Sequence, residues 1–216
     1  MTENTYNVQY DITKKSKLRK FYESNKILIY ASALILIMSF GYLIYYVENS
    51  ERKKILASNN YVKAKIYLDH EKEFEALKVL KNVIYANDPV YSSLCFFLIL
   101  SEDLIDDKKE ISTLYNYILE NNNFEKEMKN LLIYKKSLFN SNDIDESSLL
   151  KELKPLLNNK NSIWTPHALL LLGDYFLSKK EYIKATEFYE KVLSIPNLEE
   201  NLHNQALSQI ALISND

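Results

Sequence analysis

Glycine occurs only twice in the 216 residues, at Gly41 and Gly173, and proline only four times. The sharp turns that join strands depend on these two residues. A sheet-rich fold with many hairpins is therefore excluded. Apolar residues recur instead at three and four, as in Phe74, Leu77, Leu80 and Ile84, or Tyr182, Ala185, Tyr189 and Val192. That is the helical period. With 47% hydrophobic and 26% charged residues, the chain has enough apolar surface to build a core. The expected fold class is all-α.

The stretch Ile27–Val47, "ILIYASALILIMSFGYLIYYV", carries no charge and is bracketed by Lys26 and Glu48. As a helix it extends about 31 Å, close to the hydrocarbon thickness of a bilayer. Tyr42, Tyr45 and Tyr46 cluster at its far end, where aromatic rings favour the interface. The following "YLIYYVENSERK" offers no small-x-small cleavage site, which favours an uncleaved anchor over a signal peptide. Three regions follow: a basic tail over 1–26, a transmembrane helix over 27–47 and a body over 48–216. The tail holds six basic and three acidic residues, and the body 21 basic and 26 acidic. The tail is expected in the cytoplasm and the body across the membrane, which in a bacterium means an inner-membrane protein with a periplasmic domain. A mildly acidic body speaks against nucleic acid as a partner.

Gly173 stands inside an apolar helical pattern, where glycine costs about 1 kcal/mol relative to alanine. A repeat of about 34 residues explains it. Counted from Pro166, Gly173 takes position 8, Ala185 position 20, Tyr189 position 24 and Val192 position 27. This resembles the tetratricopeptide repeat (TPR), in which small residues at positions 8 and 20 let two helices cross closely. Gly173 is then expected to face Ala185 and to tolerate alanine. Thr165 is expected as N-cap, with Pro166 opening the helix. A second unit fits at 57–90, with Ala64 and Ala76 as the small residues and Leu80 at position 24. Residues 91–124 keep the length but put Leu98 and Glu110 at the small positions. A further pair, Phe124–Leu138 and Asp145–Leu157, carries extra residues in its "NSNDID" turn, a capping box from Asp143 to Glu146, and Pro155 as a kink or restart. "LEENLHNQALSQIALI" reads as a capping helix. The expected architecture is one transmembrane helix followed by a TPR-like α-solenoid of about four helix pairs plus a cap.

The order of parts resembles a wider group. "LRKFYESNKILI", a membrane helix ending in "GYLIYYVENS" and TPR-like pairs, with Phe21, Asn25, Lys26 and Gly41, resemble the YfgM-like family of ancillary SecYEG translocon subunits. The resemblance implies a membrane helix near the Sec translocon and periplasmic repeats that contact translocon components, exported chains or chaperones. It carries no catalytic motif.

Little else in the sequence suggests chemistry. His70, His167 and His203 are scattered without metal-ligand spacing. "SEDLIDDKKE" reads as a solvated helix end, Cys95 as a core thiol and Trp164 as a contact between repeats. No enzyme activity, cofactor or metal is expected. A TPR-like array offers a groove lined by the first helix of each pair. In this register the groove residues are Tyr61, Lys65 and Leu68 in the first unit, and His167, Leu170, Asp174 and Leu177 in the last. The residues that pack the repeats are Ala64, Ala76, Gly173, Ala185 and Tyr189. Tyr61 and Lys65 do not match the Lys and Asn with which some TPR domains clamp a C-terminal carboxylate. The function expected is a membrane-anchored scaffold that binds protein partners and assists translocation. The alternative is an envelope structural or division factor acting through homo-oligomers.

Overall fold

Helix ends in this chain form without glycine. In a computed structural model, residues 17–158 and 162–215 are described and form nine α-helices and no strand. They are α1 (Lys17–Asp69), α2 (Glu73–Tyr85), α3 (Pro89–Ser101), α4 (Lys108–Asn121), α5 (Lys126–Asn140), α6 (Glu146–Leu157), α7 (Trp164–Ser178), α8 (Tyr182–Leu193) and α9 (Glu200–Asn215). Five turn residues hold positive φ without being glycine: Glu71, Asn87, Asp103, Lys180 and Asn197. After α1, Glu71 N–H donates to the Leu68 carbonyl and Lys72 N–H to that of Tyr67, both at 2.9 Å. After α7, Lys180 and Glu181 repeat the same pair of bonds to Leu177 and Phe176. These are Schellman motifs, whose left-handed position usually takes glycine. The bonds close the helix ends, and the non-glycine residue carries a conformational cost.

Helix starts use aspartate. Asp88 accepts from the N–H groups of Val90 and Tyr91 ahead of Pro89, and Asp107 from that of Lys109. Asp145, not the expected Asp143, caps α6 by accepting from the Ser148 N–H at 3.0 Å. Asp143 instead pairs with Lys108. The expected cap at Thr165 is also displaced. α7 begins at Trp164, Ser162 Oγ accepts from the Trp164 N–H, and the Thr165 hydroxyl donates to the Leu156 carbonyl at 2.8 Å. Pro155 neither restarts nor ends α6, which runs on to Leu157.

The chain divides into two compact units, Met1–Ile55 and Leu56–Asp216. The first contains the apolar stretch of α1, long and apolar enough to cross a membrane and with its side chains exposed. α1 is kinked at Asn25 (φ −118°, ψ 18°), whose side-chain amide donates to the Phe21 carbonyl. A short polar side chain bonded to its own backbone competes with the helical ladder. Residues 1–16 of the expected basic tail lie outside the described residues.

The second unit shows a regular pattern of burial. In chain order the helices fall into four successive pairs, the end of α1 with α2, α3 with α4, α5 with α6 and α7 with α8, and the most extensive packing is of α7 on α8, α2 on α3 and α5 on α6. In each hairpin a buried first-helix residue, Ala64, Ile99, Ser137 or Gly173, is followed twelve residues later by Ala76, Ile111, Leu149 or Ala185. Four residues further come Leu80, Tyr115, Leu153 and Tyr189, and three beyond those Val83, Ile118, Leu156 and Val192, all buried. This corrects the sequence register in the middle. The small positions of the second hairpin hold Ile99 and Ile111, because Leu98 and Glu110 are only partly buried. The steps from Ala64 to Ile99, Ser137 and Gly173 are 35, 38 and 36 residues. The extra residues therefore fall between hairpins rather than within the turn at Ser141–Asp145.

Neighbouring hairpins touch where α2 meets α3, α4 meets α5 and α6 meets α7, and side chains also bridge like helices. Lys81 on α2 pairs with Glu110 on α4, and Lys184 on α8 with Glu146 on α6. Tyr61 on α1 meets Tyr91 on α3, and Tyr134 on α5 meets Trp164 and His167 on α7. Two hydrophobic cores result, one from Ala57 to Leu132 and one from Leu149 to Ala206. A polar chain lies where they meet. Ser112 donates to Asn140 at 2.8 Å, Asn140 donates to Glu152, and Lys136 pairs with Glu152 at 3.0 Å. α9 packs on α8 through the buried Leu202 and Ala206, in the place expected for a cap.

Gly173 is buried, but the atoms nearest to its missing side chain belong to Tyr189 rather than to the expected Ala185. A Cβ built there would collide with Tyr189 Cε1 and lie 2.7 Å from Cδ1. The Tyr189 ring lies on the bare glycine backbone, is fully buried and is tethered by its hydroxyl, which donates to Asp174 Oδ1 at 2.8 Å. The ring cannot swing away freely, so the expectation that alanine is tolerated at Gly173 is overturned. Close packing under an aromatic ring offsets the propensity cost of the glycine.

Candidate partner groove

The residues expected to line a groove fall into three groups. Tyr61 is partly buried against Tyr91, with ring centroids 6.4 Å apart, Lys65 is exposed and Leu68 half-buried. At the other end, His167, Asp174 and Leu177 are half-buried on α7. Leu170 does not belong with them. It is 4% exposed, as is Leu171, and it is withdrawn from the groove. The reason is the position of α7, which packs on α5, α6, α8 and α9 and is apolar on nearly every side. Of the packing residues, Ala64, Ala76, Ala185 and Tyr189 are fully buried, and Gly173 is buried with them.

At the α5–α7 end, three rings gather. Tyr134, Trp164 and His167 have centroids 5.5 to 5.8 Å apart in every pairing, and each ring is partly exposed. Tyr134 was not singled out from the sequence. Its signal was its place four residues after the buried Asn130, matching Tyr61 four after Ala57, which becomes readable once the hairpin step is known. The Trp164 indole N–H is buried without an acceptor.

The electrostatics of this end follow from burial. Asp174 is pushed above the usual carboxylate range by desolvation, which the hydrogen bond from Tyr189 only partly offsets. Burial holds His167 below the ordinary imidazole value, against an opposing pull from Glu199, so the ring is neutral at pH 7. Tyr134 is raised by burial and then by the charge of Asp174, which places that carboxylate within electrostatic reach of its phenol.

The remaining candidates take structural places. Cys95 is fully buried, and burial pushes its thiol up to about 12, far from a reactive thiolate. Among the described residues, no three His, Cys, Asp or Glu side chains are grouped to hold a metal ion. What the arrangement offers is a surface, aromatic and acidic at one end and carrying Lys65 at the other. No protein-family model, curated protein or solved structure matches the chain.

Proposed function

We propose that the chain is a membrane-anchored, TPR-like scaffold that binds protein partners at a bacterial inner membrane. One observation carries this reading. Behind a helix of membrane length, four helix hairpins repeat the same buried positions at spacings of twelve, then four, then three residues. Such regularity is the mark of stacked repeats, in which each unit buries its face on the next. Aromatic pairs on the first helices of adjacent hairpins, Tyr61 with Tyr91 and Tyr134 with Trp164, are partly exposed and suited to holding an extended chain or a partner helix. The resemblance to ancillary SecYEG translocon subunits supports translocon components, exported chains or chaperones as those partners. In this reading the tail is cytoplasmic and the body periplasmic.

Site-specific photo-crosslinkers at Tyr61 and Leu177, in the intact chain in its own membranes, test the proposal. Glu187, exposed on α8, serves as the control position. Translocon subunits or exported chains captured from Tyr61 and Leu177, but not from Glu187, are the expected result. Capture only of further copies of the chain, or of cell-wall factors, contradicts it. Protease added to spheroplasts is expected to digest the body, and full protection until the membrane is lysed contradicts the orientation.

A further inference from the structure

Most half-buried carboxylates of the body are held by a lysine. Glu110 pairs with Lys81, Glu152 with Lys136, and Glu146 with Lys184. Asp174 is different. It is half-buried and accepts from the Tyr189 hydroxyl, yet among the described residues no cation forms an ion pair with it. A carboxylate taken from water without a counter-charge is costly, and a cation arriving from outside relieves that cost.

The surface beside it suits such a cation. His167 lies seven residues before Asp174 on α7, on the same stripe and about 10 Å away along the axis. Its ring joins Tyr134 and Trp164 in the partly exposed aromatic cluster. His167 is neutral at pH 7 and Glu199 lies near it, so the cluster carries no positive charge to repel a cation. Aromatic faces attract cations, most strongly where water is partly excluded. They also cover the aliphatic stem of a long basic side chain.

Building on the scaffold reading, we propose that the α5–α7 end of the groove binds an arginine or lysine side chain of a bound polypeptide. The stem lies against Tyr134, the ring of the cluster within electrostatic reach of Asp174 and packed beside Trp164, and the charge rests on Asp174. Arginine fits better than lysine, because its planar guanidinium stacks on rings while its edge pairs with a carboxylate.

Trp164 is the one tryptophan in the chain, so its emission reports this site alone. The full chain in detergent micelles is titrated with a short Ala/Ser peptide carrying one central arginine. The same peptide with citrulline, an uncharged near-isostere, is titrated in parallel. A saturable change in Trp164 emission is expected with the arginine peptide, with affinity about tenfold weaker for citrulline. Asp174→Asn keeps an acceptor for Tyr189 while removing the charge. It is expected to weaken arginine binding by a similar factor without lowering the melting temperature. Equal binding of the two peptides, unchanged affinity in Asp174→Asn, or no change in emission at millimolar peptide overturns the proposal. In the first two cases peptide binding itself survives, and with it the scaffold reading, whose own failure would show in the crosslinking pattern.

Discussion

The first and last hairpins of the body share one pattern of buried positions and one turn, built with two different pairs of residues. Shifting Ala64, Ala76, Leu80 and Val83 by 109 positions gives Gly173, Ala185, Tyr189 and Val192, and every one of these is buried. Even the turns agree, since Glu71 and Lys180 occupy the same left-handed position. The difference lies at the crossing. Where the second helix presents Leu80, the first carries alanine, and where it presents the Tyr189 ring, the first carries glycine. In these two pairs the bulkier side chain on the second helix goes with the smaller residue on the first. The second hairpin does not follow this exchange, since it buries Ile99 on the first helix and Tyr115 on the second, so the complementarity is a feature of the outer hairpins.

The largest effect is expected at Gly173. Gly173→Ala puts a methyl group into a buried, tethered ring and should cost about 1–3 kcal/mol, with Gly173→Leu costing more. Ala64→Gly, the reverse exchange in the first hairpin, removes one methyl group and should cost about 1 kcal/mol through helix propensity, plus a small cavity. Thermal unfolding of the two variants side by side checks the contrast. Equal losses would mean that the two crossings do not differ in the way described.

A smaller, pH-dependent effect is expected at Asp174. Burial raises its pKa in the folded chain, so the native state holds this proton at higher pH than the unfolded chain does. The contribution of this group to stability therefore falls as pH rises through the window from the ordinary to the raised value, and returns on acidification. Asp174→Asn should flatten that slope and leave the protein at least as stable at neutral pH. Melting temperatures recorded from mildly acidic to neutral pH would show it. A steeper loss in the variant at neutral pH would mean that the charged carboxylate stabilises the fold. The smallest change is at the turns. Lys180→Gly and Glu71→Gly relieve positive φ, of 61° and 57°, and should each stabilise by about 0.5–1 kcal/mol. Neither gain would appear if the left-handed turn forms only transiently.

Much of the helical layout was legible in the sequence, and the limits have physical causes. The scarcity of glycine and the three-and-four spacing fix the helical class, and Ala64, Ala76, Gly173 and Ala185 fix the register of the outer hairpins. The middle was misread by one residue because Ile99 and Ile111 carry no small-residue signal and Asn87 supplies an unannounced left-handed turn. Spacing points to Ala185 as the neighbour of Gly173 because it reports which residues share a crossing, not where a ring folds over. Asp174 and His167 could be placed on the groove from their positions alone. Leu170 could not be removed from it, because its burial depends on four helices that surround α7, and Tyr134 could not be added until the hairpin step was known.

The crossing of the last hairpin depends on the coupling between Gly173 and Tyr189, and a double-mutant cycle measures it directly. Gly173→Ala, Tyr189→Leu and the double variant, which installs the alanine–leucine pair of the first hairpin, are unfolded in denaturant beside the parent chain. Tyr189→Leu alone opens a cavity over glycine and should cost about 2–4 kcal/mol. If the ring and the bare backbone are complementary, the double variant is more stable than the sum of the single losses requires, with a coupling of at least about 1 kcal/mol. Losses that add to within about 0.5 kcal/mol would show that the two residues do not sense each other, and would contradict the account.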